Sequence, residues 1–144
     1  EESIDICVVA KQLLSLLTHG MAGAECRVRT SFSGNELPLP SDMATSLALV
    51  LNELITNAII HGFEGLGEGE VRVAVTQAGQ ICMLTVSDTG VGMNLPQGGE
   101  GRKHLGLTIV RTLVEKDLKG ELSFTPVVPH GTEVRIQFSI AERG

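Results

Sequence analysis

The sequence predicts an α/β (α+β) fold in which one mixed, mostly antiparallel sheet is covered by about three helices, and three observations carry that expectation. Apolar residues recur at helical spacing in three separate stretches, they alternate with polar ones at a period of two in several others, and the two kinds of stretch are interspersed without a regular β-α-β repeat. With 144 residues, 42% of them apolar and 19% charged, the chain has the size of one domain, spanning 1–144, and can bury enough surface to offset the entropy of ordering.

Ile4, Val8, Leu13, Leu14 and Leu17 fit one amphipathic helix that ends near Gly20. Cys26, Val28, Thr30 and Phe32 then alternate with Arg27, Arg29 and Ser31, the period of a half-exposed strand, and Ser33, Gly34 and Asn35 close it. After Pro38 and Pro40, Ser41 can cap a second helix that runs to about Ile60. A Gly-rich connector over 62–69 leads to strands over 70–76 and 80–88, joined as a hairpin by a short turn around Gly79. The stretch 90–106 has many glycines and little periodicity, which predicts a mobile, solvent-facing segment. Helical spacing resumes over 105–118, and strands over 121–125 and 132–140 flank a Pro-containing turn with His130 and Gly131.

Composition narrows the function. Phe32, Phe63, Phe124 and Phe138 are the only aromatics, so base-stacking platforms are scarce, and a net charge of −6 opposes a nucleic-acid backbone as the general partner. Cys7, Cys26 and Cys82 are far apart and lack the C-x-x-C pairs of zinc sites, which predicts reduced, partly buried thiols in a cytoplasmic protein. No uncharged apolar run reaches the roughly 18 residues of a spanning helix, so no membrane contact by this domain is expected, although a longer parent could be anchored elsewhere.

Three places could carry chemistry. On the second helix Glu53, Asn57 and His61 recur every four residues and form one polar ridge, while Leu47, Leu51, Leu54 and Ala58 form an apolar one. A solvated helix face would give the same row. Asn is nonetheless a poor interior helix former, and its oxygen is the kind of ligand that Mg²⁺ accepts together with phosphate and water. Asp88 ends the apolar row Cys82, Leu84 and Val86, so its carboxylate needs a partner, and Asp-Thr-Gly is also a favourable turn start. Gly90 and Gly92 follow it and permit close backbone approach to a flat ligand. Finally, Leu105-Gly106-Leu107 opens a helix directly after Arg102, Lys103 and His104, which combines free amides, the positive dipole end and local positive charge into an anion site.

In these residues the chain resembles the catalytic ATP-binding domain of sensor histidine kinases, within the superfamily shared with gyrase-type topoisomerases, Hsp90 chaperones and MutL repair proteins. Residues 52–58 (NELITNA) look like the N box, 88–93 (DTGVGM) the G1 box, and 101–107 the G2 box, in the family's order and over nearly the whole chain. It is most similar to the subfamily with a short lid.

The resemblance implies a two-layer α/β sandwich of the Bergerat type, with ATP and Mg²⁺ between the N-box helix and the lid. It implies that Asp88 accepts the adenine amino group, Asn57 binds Mg²⁺, and Glu53 is the catalytic polar or general-base residue near the γ-phosphate. Thr132 matches a position that supports adenine binding, and Gly90, Gly92, Met93, Leu105, Gly106 and Leu107 line the nucleotide. Two positions depart from the family: Ile60 stands where a Lys often reaches phosphate, and His104 where the G2 box is usually smallest, so that His61, Arg102 or Lys103 would have to hold phosphate.

No histidine here has the context of the family's phosphoacceptor, so the expected partners are the dimerisation and phosphoacceptor helices of a parent kinase, with a response regulator downstream. A homodimer is expected only in the full-length protein. The alternatives are an anti-sigma-type protein-serine kinase and a nucleotide-sensing interaction module without turnover.

Overall fold

The computed structural model describes residues 2–21, 27–61, 68–89, 101–128 and 130–140; for residues 20, 21, 27, 60, 61, 68 and 101–106 it describes the backbone alone. A five-stranded sheet carries the fold, with β2 (Arg27–Ser33), β4 (Glu68–Ala78), β5 (Ile81–Asp88), β7 (Thr132–Ser139) and β6 (Glu121–Pro126) in the order β2-β4-β5-β7-β6. The β2–β4 pair is parallel and the other three pairs are antiparallel. Helices α1 (Ile6–Met21), α2 (Ser41–His61) and α3 (Gly101–Thr112) cover the apolar side of this sheet. The architecture is the expected two-layer sandwich of a mixed, mostly antiparallel sheet under three helices.

The period-two pattern is the reason for the single apolar side. Val71, Val73 and Val75 of β4, Cys82, Leu84 and Val86 of β5, and Val134, Ile136 and Phe138 of β7 are all buried, and each set occupies alternate positions. Facing them are Leu47, Leu51, Leu54, Ile55 and Ala58 of α2, which are buried at helical spacing. The hairpin between β4 and β5 closes with Gly79 at φ +63° and no positive φ at Gln80, the combination of a type II′ turn.

Four features differ from expectation. Helix α1 turns Ile6, Ala10 and Leu14 inward and leaves Val8 half-exposed. Its phase is set at its start, where Asp5 Oδ1 accepts the amides of both Cys7 and Leu37, at 3.0 Å each, and so caps the helix while tying it to the next segment. Two short strands, β1 (Ser3–Asp5) and β3 (Pro38–Pro40), pair antiparallel beside that cap. Third, Cys7 and Cys82 are fully rather than partly buried; the Cys7 thiol donates to the Asn35 carbonyl, while Cys26 lies outside the described residues.

The fourth is α3, which begins at Gly101 instead of Leu105. It passes into a π-turn over Leu113–Asp117 and ends with Lys119 at φ +53°. Ser46, buried on α2, donates to Asp117 Oδ2 at 3.1 Å, which fixes the end of α3 against α2.

Candidate functional site

Topology brings the chemistry to one end of the sheet. Helix α2 is the crossover between parallel strands β2 and β4, so its C-terminal turns lie toward the end at which β4 begins. Strand β5 is antiparallel to β4 and therefore finishes there, and β7 is antiparallel to β5 and therefore starts there. Register makes this exact at three positions: Val71 pairs with Asp88, and Asp88 pairs with Thr132.

Asp88 and Thr132 thus project side by side toward the helical layer, and Thr132 is buried. The expected placement of Asp88 at the end of a buried row holds, since Cys82, Leu84 and Val86 on its own face are all buried. On α2, Glu53 and Asn57 are both half-buried, on the ridge adjoining the buried Leu54 and Ala58.

Asn57 has an unusual status. Its Nδ2 is buried and, among the described residues, has no hydrogen-bond partner, which is costly for an amide nitrogen and uncommon in a folded chain. A half-turn of the carboxamide exchanges nitrogen and oxygen, so the orphaned corner can donate to a phosphate oxygen or, turned over, present an oxygen to a hard cation. Among the described residues no three His, Cys, Asp or Glu side chains gather as a metal cluster. A Mg²⁺ ion, which commonly takes one or two protein oxygens and draws the rest from phosphate and water, fits this single corner.

Two residues at this end, Thr89 and Gly131, make long-range contacts that no local sequence signal announces. Thr89 N donates to the Glu70 carbonyl at 3.1 Å, and the Glu70 amide donates to Thr89 Oγ1 at 3.0 Å, so the two residues are doubly joined. Arg72 hydrogen-bonds the Glu70 carboxylate at 3.1 Å and holds it below the usual carboxylate range. On the other side, Gly131 has φ +130°, and a Cβ built there would lie 2.1 Å from the Asp88 carbonyl oxygen. Only a glycine fits at that distance with that backbone. A Gly before Thr132 is visible in the sequence, but nothing local signals what it touches.

The remaining expected positions are placed less fully. Gly90, Gly92 and Met93 lie outside the described residues, and His61, Arg102, Lys103, His104, Leu105 and Gly106 are placed by backbone alone. Because α3 starts at Gly101, Leu105, Gly106 and Leu107 fall in its second turn; the first-turn amides with no intrahelical acceptor belong to 101–104. Leu107 is buried at the edge of the core.

The sequence profile of the histidine kinase-, DNA gyrase B- and HSP90-like ATPases matches residues 43–142, which span α2, the Asp88 loop, α3 and the last strand pair. The chain belongs to this ATPase family. Its curated relatives include the sensor histidine kinase PdtaS of Mycobacterium tuberculosis, 33% identical over 147 residues that cover 100% of this chain and 29% of that kinase. The chain thus spans less than a third of the length of that relative. The anti-sigma F factor of Bacillus licheniformis is 43% identical over 67 residues, 46% of this chain and 44% of that protein. Among solved structures, the histidine kinase domain of the Erythrobacter litoralis blue-light activated histidine kinase superposes with a TM-score of 0.83 at 26% identity, covering 96% of this chain and 62% of that one. No described helix of this family member is long and apolar enough to cross a membrane.

Proposed function

We propose that this chain is the catalytic domain of a sensor histidine kinase, which binds ATP with Mg²⁺ and presents the γ-phosphate to a histidine on a separate dimerisation helix, for relay to a response regulator. The observation that carries the proposal is the pairing of Asp88 with Thr132 at the end of the sheet toward which the last turns of α2 run with Asn57, in a chain of an ATPase family. Asp88, at the end of its strand, accepts the adenine amino group, with Thr132 beside it.

Asn57 holds the metal, and Glu53, one turn earlier on α2, faces the terminal phosphate as the polar or general-base residue. Bound Mg²⁺ would neutralise charge on the phosphates. The chain's own part is positioning, which is where most of the catalysis of phosphoryl transfer lies. With Ile60 at the place of the family's frequent Lys, the cations for phosphate come from His61 at the end of α2 and from Arg102 and Lys103 in the first turn of α3.

Calorimetric titration of the domain with a non-hydrolysable ATP analogue and Mg²⁺ tests the site: Asp88→Asn should abolish measurable binding, and unchanged affinity would end the adenine assignment. A second reading, a protein-serine kinase, is favoured by the similarity to the anti-sigma F factor over 67 residues. Labelled ATP supplied with a histidine-bearing dimerisation fragment separates the two, because a serine kinase leaves that fragment unlabelled.

A further inference from the structure

Asp88 is the last residue of β5, and what fixes its direction is the peptide that follows it. Thr89 continues the β4–β5 ladder one residue beyond the sheet, but by a mixed pair of bonds. Its amide donates to the Glu70 carbonyl at 3.1 Å, as a strand residue would, and its hydroxyl accepts the Glu70 amide at 3.0 Å. The hydroxyl takes the place of a backbone carbonyl, so the main chain can leave the sheet at Thr89 without orphaning the Glu70 amide.

From the opposite side Gly131 closes on the same peptide: a Cβ there would lie 2.1 Å from the Asp88 oxygen and 3.0 Å from Thr89 Cα. The Asp88–Thr89 peptide is thus gripped between Glu70 and Gly131, which fixes the backbone from which the Asp88 side chain departs.

We propose that Thr89 is a positioning residue for base recognition: through its hydroxyl bond to the Glu70 amide it aims the Asp88 carboxylate, and so sets how strongly the site prefers a 6-amino purine over a 6-oxo purine. The proposal rests on the assignment of Asp88 to adenine. Thr89 itself touches no nucleotide in this scheme. The Arg72–Glu70 ion pair on the same residue lies at the surface and leaves the Glu70 amide to Thr89.

The test compares wild type, Thr89→Val and Thr89→Ser. Valine keeps the branched shape and removes the acceptor, whereas serine keeps the acceptor. Affinities for ATP and for inosine triphosphate, whose base carries oxygen at position 6, are measured with Mg²⁺ by competition against a ribose-labelled nucleotide, and exchange of the Glu70 amide is followed by NMR. In Thr89→Val the ATP affinity should fall about fivefold, the size of one hydrogen bond, with inosine triphosphate nearly unchanged, so that the ratio of the two drops. The Glu70 amide should exchange faster, and Thr89→Ser should restore both to within about twofold.

An equal loss for the two nucleotides in Thr89→Val, or no loss for either, overturns the proposal, because a merely structural role cannot change the ratio. Asp88→Asn, run alongside, separates the levels. If it leaves ATP affinity intact, the adenine assignment itself has failed; if it abolishes binding while Thr89→Val keeps the wild-type ratio, only the role of Thr89 has failed.

Discussion

Replacing Gly131 by alanine should be far more damaging than the same change at Gly79, and the structure says by how much. Both glycines have positive φ, +63° at Gly79 and +130° at Gly131, so either alanine incurs a conformational cost of roughly 1–2 kcal/mol. At Gly79 nothing lies within 4 Å of the added Cβ, and stiffening of the unfolded chain returns about 0.4–1 kcal/mol. Gly79→Ala should therefore lower stability by no more than about 1.6 kcal/mol.

At Gly131 the added Cβ would meet the Asp88 oxygen at 2.1 Å, with Asp88 C and Thr89 Cα at 3.0 Å. All three are backbone atoms of a strand end and cannot rotate away, so the chain must separate there, for roughly a further 1–3 kcal/mol. Less the same return from the unfolded chain, Gly131→Ala then costs about 1–5 kcal/mol in all, or roughly 3–15 °C in Tm for a domain of this size. Urea unfolding of both variants measures the difference, and nucleotide titration of Gly131→Ala should show weakened binding as well, because the peptide it displaces carries Asp88. Equal urea midpoints for the two variants would refute the reasoning, since they would mean that the close approach at Asp88 constrains nothing.

Two further outcomes follow from the burial of polar groups. Asn57→Ala should leave the nucleotide-free domain within about 1 kcal/mol of wild type, because Nδ2 makes no hydrogen bond among the described residues, yet should abolish the thermal stabilisation given by an ATP analogue with Mg²⁺; a loss above about 2 kcal/mol without nucleotide would contradict the orphaned state. Burial raises the Cys82 thiol pKa above its ordinary value, so the folded chain holds that proton more tightly than the unfolded one. The stability this group contributes is complete below the unfolded value of about 8.5 and is lost as pH rises toward the folded value. The urea-measured gap between wild type and Cys82→Ala should accordingly stay flat to about pH 8.5 and narrow above it, and a constant gap to pH 10 would be the contrary result.

Much of this fold was legible because its core elements are long and strongly patterned. Cys82, Leu84 and Val86 alternate, and Leu47, Leu51, Leu54 and Ala58 share a helical face, and all of them are buried. The three-residue strands β1 and β3 are too short to carry a period, and they exist through their mutual pairing. Helix α3 begins at Gly101, a poor helix former, because its later turns bury Leu107 and Val110 and run into the π-turn, which buries Val114 and is bonded to α2 through Ser46 and Asp117. Val8 was misplaced because the phase of α1 is fixed by its cap at Asp5 and not by counting apolar residues.

At the site, Asp88 and Asn57 could be singled out because each is a polar residue where local rules disfavour one. Thr89 and Gly131 could not, because their roles exist only across the chain: the Thr89 hydroxyl meets an amide 19 residues earlier, and Gly131 abuts a peptide some forty residues before it.

The order of the strands also ranks them by how readily they open. Strands β2 and β6 are each bonded along one edge to a single neighbour in the sheet, so either can detach by breaking one ladder. Strand β5 is laced on both sides, to β4 and to β7, over its whole length, and β5 cannot leave without dissolving the sheet. Fluctuations that fray this molecule therefore begin at its margins and spend themselves there, and the aspartate assigned to the base is carried by the strand that lets go last.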